Sequence, residues 1–236
     1  MYAYSYGIDT AYILVLLAIV FSLWASWKVK RTYKKYSDDL NARRITGAQA
    51  AHSVLNSRGL SNIPLMCTAG TMTDYYDPSS NKVFLSESTF NSASPVAVGV
   101  ACHECGHAIQ YAEGYWPAKL RMKIVPATNF GSKLSWPLII AGLLLSSLIP
   151  VLWNLVYIGI GLFSLCVFFQ LVTLPTEFNA SSRALECIRE QNLLEGEDYD
   201  KAKEVLTAAA LTYVAALAVS LTQLLRMIAI YGRRRN

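Results

Sequence analysis

His103, Glu104 and His107 stand in the order H-E-x-x-H inside the segment "SPVAVGVACHECGHAIQYAEG". On a helix, residues four apart share one face, so two imidazoles at this spacing can both offer a ring nitrogen to a single ion. Glu104 follows the first imidazole and lies near enough to reach a water on that ion without ligating it. Zinc suits nitrogen donors and lowers the pKa of its water toward neutrality. That leaves Glu104 to act as general base in attack on a carbonyl. Each residue type is needed where it stands, so the pattern carries a mechanism and not only a match. Of the three histidines in the chain, two form this pair.

A catalytic zinc takes three protein ligands and keeps a fourth position open. His52, after the "TGAQAA" run, reads as a surface or packing residue. Cys102 and Cys105 flank His103, but a helix turns roughly 100° per residue, which puts neither on the face of the two histidines. No second C-x-x-C is present to complete a zinc ribbon. Glu113 lies too near the end of the motif helix to swing back, and Glu186 and Glu190 belong to "ECIREQ", which reads as a solvated face. Glu177 lies just past Pro175 at the predicted start of a helix, on the same side of a membrane hairpin as His103. It is the predicted third ligand.

The elements that must hold these residues can be read outward from the motif. Ser94 suits an N-cap, Pro95 a first helical turn and Gly114 a helix end, so a helix is predicted around the H-E-x-x-H residues. Upstream, "ITGAQAAHSVLNSRGL" predicts a helix stopped at Gly59. "IPLMCT" and "KVFLSE" predict short strands separated by the turn residues of "DYYDPSSN". A peptidase must hold an extended substrate, and Asn81 to Glu87 is a candidate edge strand for that pairing, or else a plain hairpin arm. Tyr76, with Tyr75 beside it, is a candidate hydroxyl donor to a tetrahedral intermediate or an interface anchor. Asn179 and Arg183 are candidate cleft residues. Arg183 could stabilise an oxyanion or pair with a substrate carboxylate; a salt bridge to Glu186 or a place near the lipid headgroups is its plainer role.

Composition places this module in a membrane. Hydrophobic residues make up 53% and charged residues 16% of the chain, an imbalance outside the usual globular range. The apolar run from Ala11 to Trp27 is preceded by Asp9 and followed by Lys28, Lys30, Arg31, Lys34 and Lys35. That order reverses a cleaved signal peptide and predicts a retained anchor with its C-terminal end in the cytoplasm. The stretch from Trp136 to Leu174, interrupted at Pro150 and Asn154, is too long for one span of roughly 20 residues, and so predicts a hairpin. The predicted organisation is an anchor over 1–30, a cytoplasmic catalytic part over 38–130 and a transmembrane hairpin over 136–174. A cytoplasmic helix with the third ligand follows over 175–204, then an apolar helix over 205–231. A full span by that last helix would carry Arg233, Arg234 and Arg235 outside, against the positive-inside tendency. Its spanning is left open.

Five cysteines without regular spacing read as free thiols in a reducing compartment. The net charge of +5 is concentrated beside apolar runs and not spread over a soluble face with stacking aromatics, which argues against nucleic acid as a partner.

The stretches "AVGVACHECGHAIQYAEGYWPAKLR", "VPATNFGS", "FQLVTLPTEFNASSRAL" and "LTAAALTYVAAL" resemble the YugP-type neutral zinc metallopeptidases of bacterial membranes. The resemblance runs from about Ile45 to Leu225. Its order of motif, hairpin and glutamate is also similar to HtpX-type and CAAX-prenyl proteases. It implies that His103, His107 and Glu177 bind zinc and that Glu104 is the general base. One position departs from the HtpX-type pattern: where an aspartate would orient a histidine ligand, this chain has Ser181, which brings no charge.

The resulting expectation is a mainly α, multi-pass membrane protein with a zincin-like catalytic part, a small β element and three or four transmembrane helices. As a gluzincin-type metalloendopeptidase it would cut protein or peptide substrates, membrane proteins among them, at the cytoplasmic side of the lipid bilayer. The alternative is a non-catalytic binding or scaffold protein with a structural zinc site.

Overall fold

The structure is a computed structural model that describes residues 2–231, with side chains from residue 10 onward. Arg233, Arg234 and Arg235 and the side chain of Asp9 lie outside the described residues. Helix α1 spans Tyr2–Tyr36 and α2 Gly47–Ser57. Strands β1 (Leu65–Thr68), β2 (Tyr75–Asp77) and β3 (Lys82–Ser86) follow, then the short α3 (Glu87–Phe90) and the motif helix α4 (Pro95–Ala112). Helix α5 covers Trp116–Leu145. A 3-10 turn at Pro150–Trp153 leads into α6 (Asn154–Glu190), and α7 (Glu197–Tyr231) ends the fold.

Local signals account for the ends of the helices that carry the site. Thr46 and Gln49 form a reciprocal capping box at the start of α2, which satisfies two amides that the helix itself leaves open. Ser94 accepts from Ala97 N at 3.1 Å and Pro95 occupies the first turn of α4. Gly114 follows that helix at φ +76°, a conformation that costs glycine little.

The chain divides into two compact units. One comprises Ala25–Lys119 and Pro175–Thr212, the other Met1–Trp24, Leu120–Leu174 and Tyr213–Asn236. In the first, Val54 and Leu55 of α2, Val83 and Leu85 of β3, Cys102 and Cys105 of α4 and Ile188 of α6 share one core. The three strands lie in the order β1-β3-β2, with β1 parallel and β2 antiparallel to β3. Two expectations are corrected here. The "DYYDPSSN" turn contains a strand of its own, Tyr75–Asp77. And β3, the proposed edge, is the central strand, because Val83 and Leu85 must bury their side chains and both of its sides are already paired.

In the second unit, Ile139, Val156 and Met227 form a small core. Gly159 lets α6 approach α5 closely: a methyl group there would lie 2.7 Å from the Ser135 carbonyl oxygen. Such small-residue contacts are how helices pack where lipid removes the hydrophobic drive. Among the described residues, three helical segments are long and apolar enough to cross a membrane: Thr10–Tyr36, Pro150–Glu190 and Glu197–Tyr231. Their apolar side chains point largely outward, with Leu16, Leu17, Val20 and Leu23 of α1 all exposed. Continuous exposed apolar surface of this kind is tolerated in hydrocarbon and not in water. Helix α5 carries Lys119, Arg121, Lys123 and Lys133 and is not among the three.

Pro175 sits inside α6 rather than before a new helix. The apolar first part of α6 therefore runs without a break into the turns that carry Glu177. A proline removes one backbone bond and is tolerated where the surrounding structure holds the helix together. Thr173, Thr176 and Glu177 around it are all buried.

Candidate metal centre

Helices α4 and α6 meet at backbone distance. A methyl group on Gly106 would lie 2.5 Å from the carbonyl oxygen of Ala180, so the residue between the two motif histidines has room only for hydrogen. Glu177 precedes Ala180 by about one turn and is carried onto the histidine face. Its Oε2 lies 3.3 Å from His103 Nε2 and 3.6 Å from His107 Nε2. The two imidazole rings are 4.8 Å apart at 83° to each other. Their donor atoms and the glutamate oxygen all fall within 4.8 Å of one another.

The far side of each ring is also held. Ser181 Oγ lies 3.1 Å from His103 Nδ1, and Gln110 Oε1 lies 3.0 Å from His107 Nδ1. With both Nδ1 atoms occupied, both Nε2 atoms face the carboxylate. Two imidazole nitrogens and one carboxylate oxygen, turned toward a common point and supported from behind, are a donor set that fits zinc and leaves one position open.

Glu104 is buried beside this set, and its Oε2 accepts from the backbone N–H of Tyr76 at 3.0 Å. Burial raises its pKa above the ordinary carboxylate value, against the opposing pull of His103 and His107. The strand β2 thus sets the orientation of Glu104 through its main chain. The Tyr76 hydroxyl donates to Asn81 Oδ1 at 2.7 Å, and its ring packs against Tyr111 at 5.6 Å. Arg183 donates from Nε to Asn179 Oδ1 at 2.7 Å and pairs through Nη1 with Glu113 at 2.6 Å. Its acidic partner is therefore Glu113 and not Glu186. Arg183, Asn179 and Glu113 line a polar cavity of about 280 Å³.

The other metal-binding residue types stand apart. Cys102 and Cys105 are fully buried in the core, and burial pushes both thiols well above their usual pKa, which disfavours the thiolate that a metal needs. His52 is exposed and lines a separate cavity with Ser61 and Pro64. Gln110 and the Tyr76 amide were not read from sequence. Gln110 stands three residues past His107 and so shares its face, a usable signal. The amide of a residue 28 positions before Glu104 leaves no sequence trace.

Residues 11–232 match the profile of a family described as "Putative neutral zinc metallopeptidase". A protein of Bacillus subtilis (strain 168), "Putative membrane protease YugP", is 45% identical over 225 residues, which is 94% of this chain and 98% of that protein. No solved structure matches the chain.

Proposed function

The chain belongs to the neutral zinc metallopeptidase family, and on that premise we propose a membrane-bound, zinc-dependent endopeptidase that hydrolyses peptide bonds with Glu104 as general base. It is a multi-pass membrane protein. The observation that carries the catalytic reading is the three-donor set of His103, His107 and Glu177 with a second buried carboxylate, Glu104, beside it. Among the described residues no further histidine, cysteine, aspartate or glutamate joins the set, which suits a catalytic site better than a sealed structural one.

His103, His107 and Glu177 would hold the ion. Zinc, when bound, polarises a carbonyl and makes water acidic near neutral pH. Glu104 keeps one oxygen fixed by the Tyr76 N–H and has the other available to take a proton. The proton that Glu104 takes can then go to the leaving amine.

The charges at the C-terminal end of α1 support a cytoplasmic site. Lys30, Arg31, Lys34 and Lys35 are exposed at the C-terminal end of the first span, which favours retention of that end in the cytoplasm. The catalytic unit begins there, at Ala25. Proteins with segments at or near the membrane are the substrates that such a placement serves.

Glu104→Gln separates the catalytic reading from a binding role. The purified variant should keep one equivalent of zinc and lose peptide hydrolysis by at least roughly 100-fold, the scale of a missing general base. Hydrolysis at the parent rate by zinc-loaded Glu104→Gln would overturn the assignment.

A further inference from the structure

Gln110 is wholly buried between α4 and α6, and each of its amide atoms has a partner. Its Nε2 lies 2.7 Å from the carbonyl oxygen of Thr176 and 2.9 Å from Asn179 Oδ1. A backbone carbonyl can only accept, so the nitrogen must face it. The second partner gives the same answer independently. Arg183 has donors only, and its Nε points at Asn179 Oδ1. That atom is therefore an oxygen, and it too must receive from Gln110 Nε2. The amide cannot be turned around without setting acceptor against acceptor twice.

The consequence falls on His107. With Nε2 of Gln110 committed to α6, its Oε1 is the atom 3.0 Å from His107 Nδ1. An oxygen there can only accept, so His107 carries a proton on Nδ1, and Nε2, beside Glu177, is left as the nitrogen that can give up its proton to an ion. We infer that Gln110 is a positioning residue that fixes the His107 tautomer, and that the chain from Glu113 through Arg183 and Asn179 holds Gln110 in its only workable orientation. His103 has no such lock. Its partner Ser181 carries a hydroxyl that can donate or accept, so the stricter demand on tautomer falls on the second histidine. This inference rests on the zinc reading above.

The test compares two replacements in the full-length protein, with zinc affinity read by competition against a chromophoric chelator. Gln110→Met keeps the length and removes every hydrogen bond. Gln110→Glu restores an acceptor for His107 Nδ1 but loses the donor and sets an oxygen against the Thr176 carbonyl and Asn179 Oδ1. If Gln110 positions His107, Gln110→Met should weaken zinc binding roughly 10–100-fold, and Gln110→Glu should recover most of that loss. A residue that merely ties α4 to α6 would be damaged alike by both, since both forfeit the donated bonds. Equal loss in the two variants, or no loss in Gln110→Met, overturns the inference. Parent protein that binds no zinc would instead overturn the zinc reading itself. Should either variant fail to fold, histidine nitrogen chemical shifts in the metal-free parent, taken at a pH where the His107 ring is neutral, decide: the Nδ1–H tautomer supports the lock, and the Nε2–H tautomer overturns it.

Discussion

Gly106 faces the carbonyl oxygen of Ala180 with no room for a side chain between them, a methyl group there coming within 2.5 Å of that oxygen. The contact is what lets a glutamate from one helix reach two histidines on another. Gly106→Ala should force α4 and α6 apart and cost about 1–3 kcal/mol, as overpacking does. The separation matters more than the stability. Zinc content after dialysis should drop in Gly106→Ala although all three donors remain, and an unchanged zinc affinity would show that the helices need not touch there.

Glu177→Ala removes a donor outright and should weaken zinc binding by more than the roughly 10–100-fold expected for an outer partner. Competition with a chelator measures this directly. Glu104→Ala serves as the control, because that carboxylate lies beside the donor set without joining it. Equal zinc loss in the two variants would mean that Glu104 ligates.

Ser181 supports His103 with a neutral hydroxyl at 3.1 Å. Ser181→Ala should loosen zinc by up to about 10-fold, the lower end of the range for outer partners. Ser181→Asp should tighten it, since a carboxylate on Nδ1–H makes the ring a better donor. A weaker affinity in Ser181→Asp than in the parent would count against this role for position 181.

Protons compete with the metal for His107. Burial lowers the proton affinity of this ring, but the hydrogen bond to Glu177 and its charge, then the charge of Glu104 and the bond donated to Gln110, raise it by more. The metal-free ring is therefore protonated at a higher pH than an ordinary imidazole, and zinc needs it neutral. As pH falls, zinc affinity should start to decline above about 6.5, the ordinary histidine value. Zinc titrations at successive pH values check this. Affinity that holds level down to pH 5 would contradict it.

Cys102 and Cys105 flank a ligand in sequence yet are packed in the core. Cys102→Ala and Cys105→Ala should leave zinc stoichiometry unchanged and cost only stability, about 1 kcal/mol each as for other small core truncations. Loss of zinc from either folded variant would bring the thiols back into the site.

The local grammar of this protein was written in its residues. H-E-x-x-H names a histidine pair and its carboxylate because helical spacing alone puts positions four apart on one face. Ser94, Pro95 and Gly114 bound α4 for equally local reasons, and the apolar runs announce the membrane through their length. Glu177 could be picked out by elimination among acidic residues, but its closeness to the histidines could not be derived. That closeness depends on a glycine opposite a carbonyl in another helix, 74 residues further on.

Tertiary structure decided the rest, in each case because the partner is distant in the chain. β3 became a central strand only when β1 and β2 paired to its two sides. Pro175 was absorbed into α6 among buried neighbours instead of ending a helix. Arg183 turned to Glu113 across 70 positions, not to Glu186 on its own helix. Periodicity reports which face a side chain occupies, whereas a hydrogen bond or a helix contact between remote segments requires both to arrive at one place. Spacing along the chain carries the first kind of information, and only packing supplies the second.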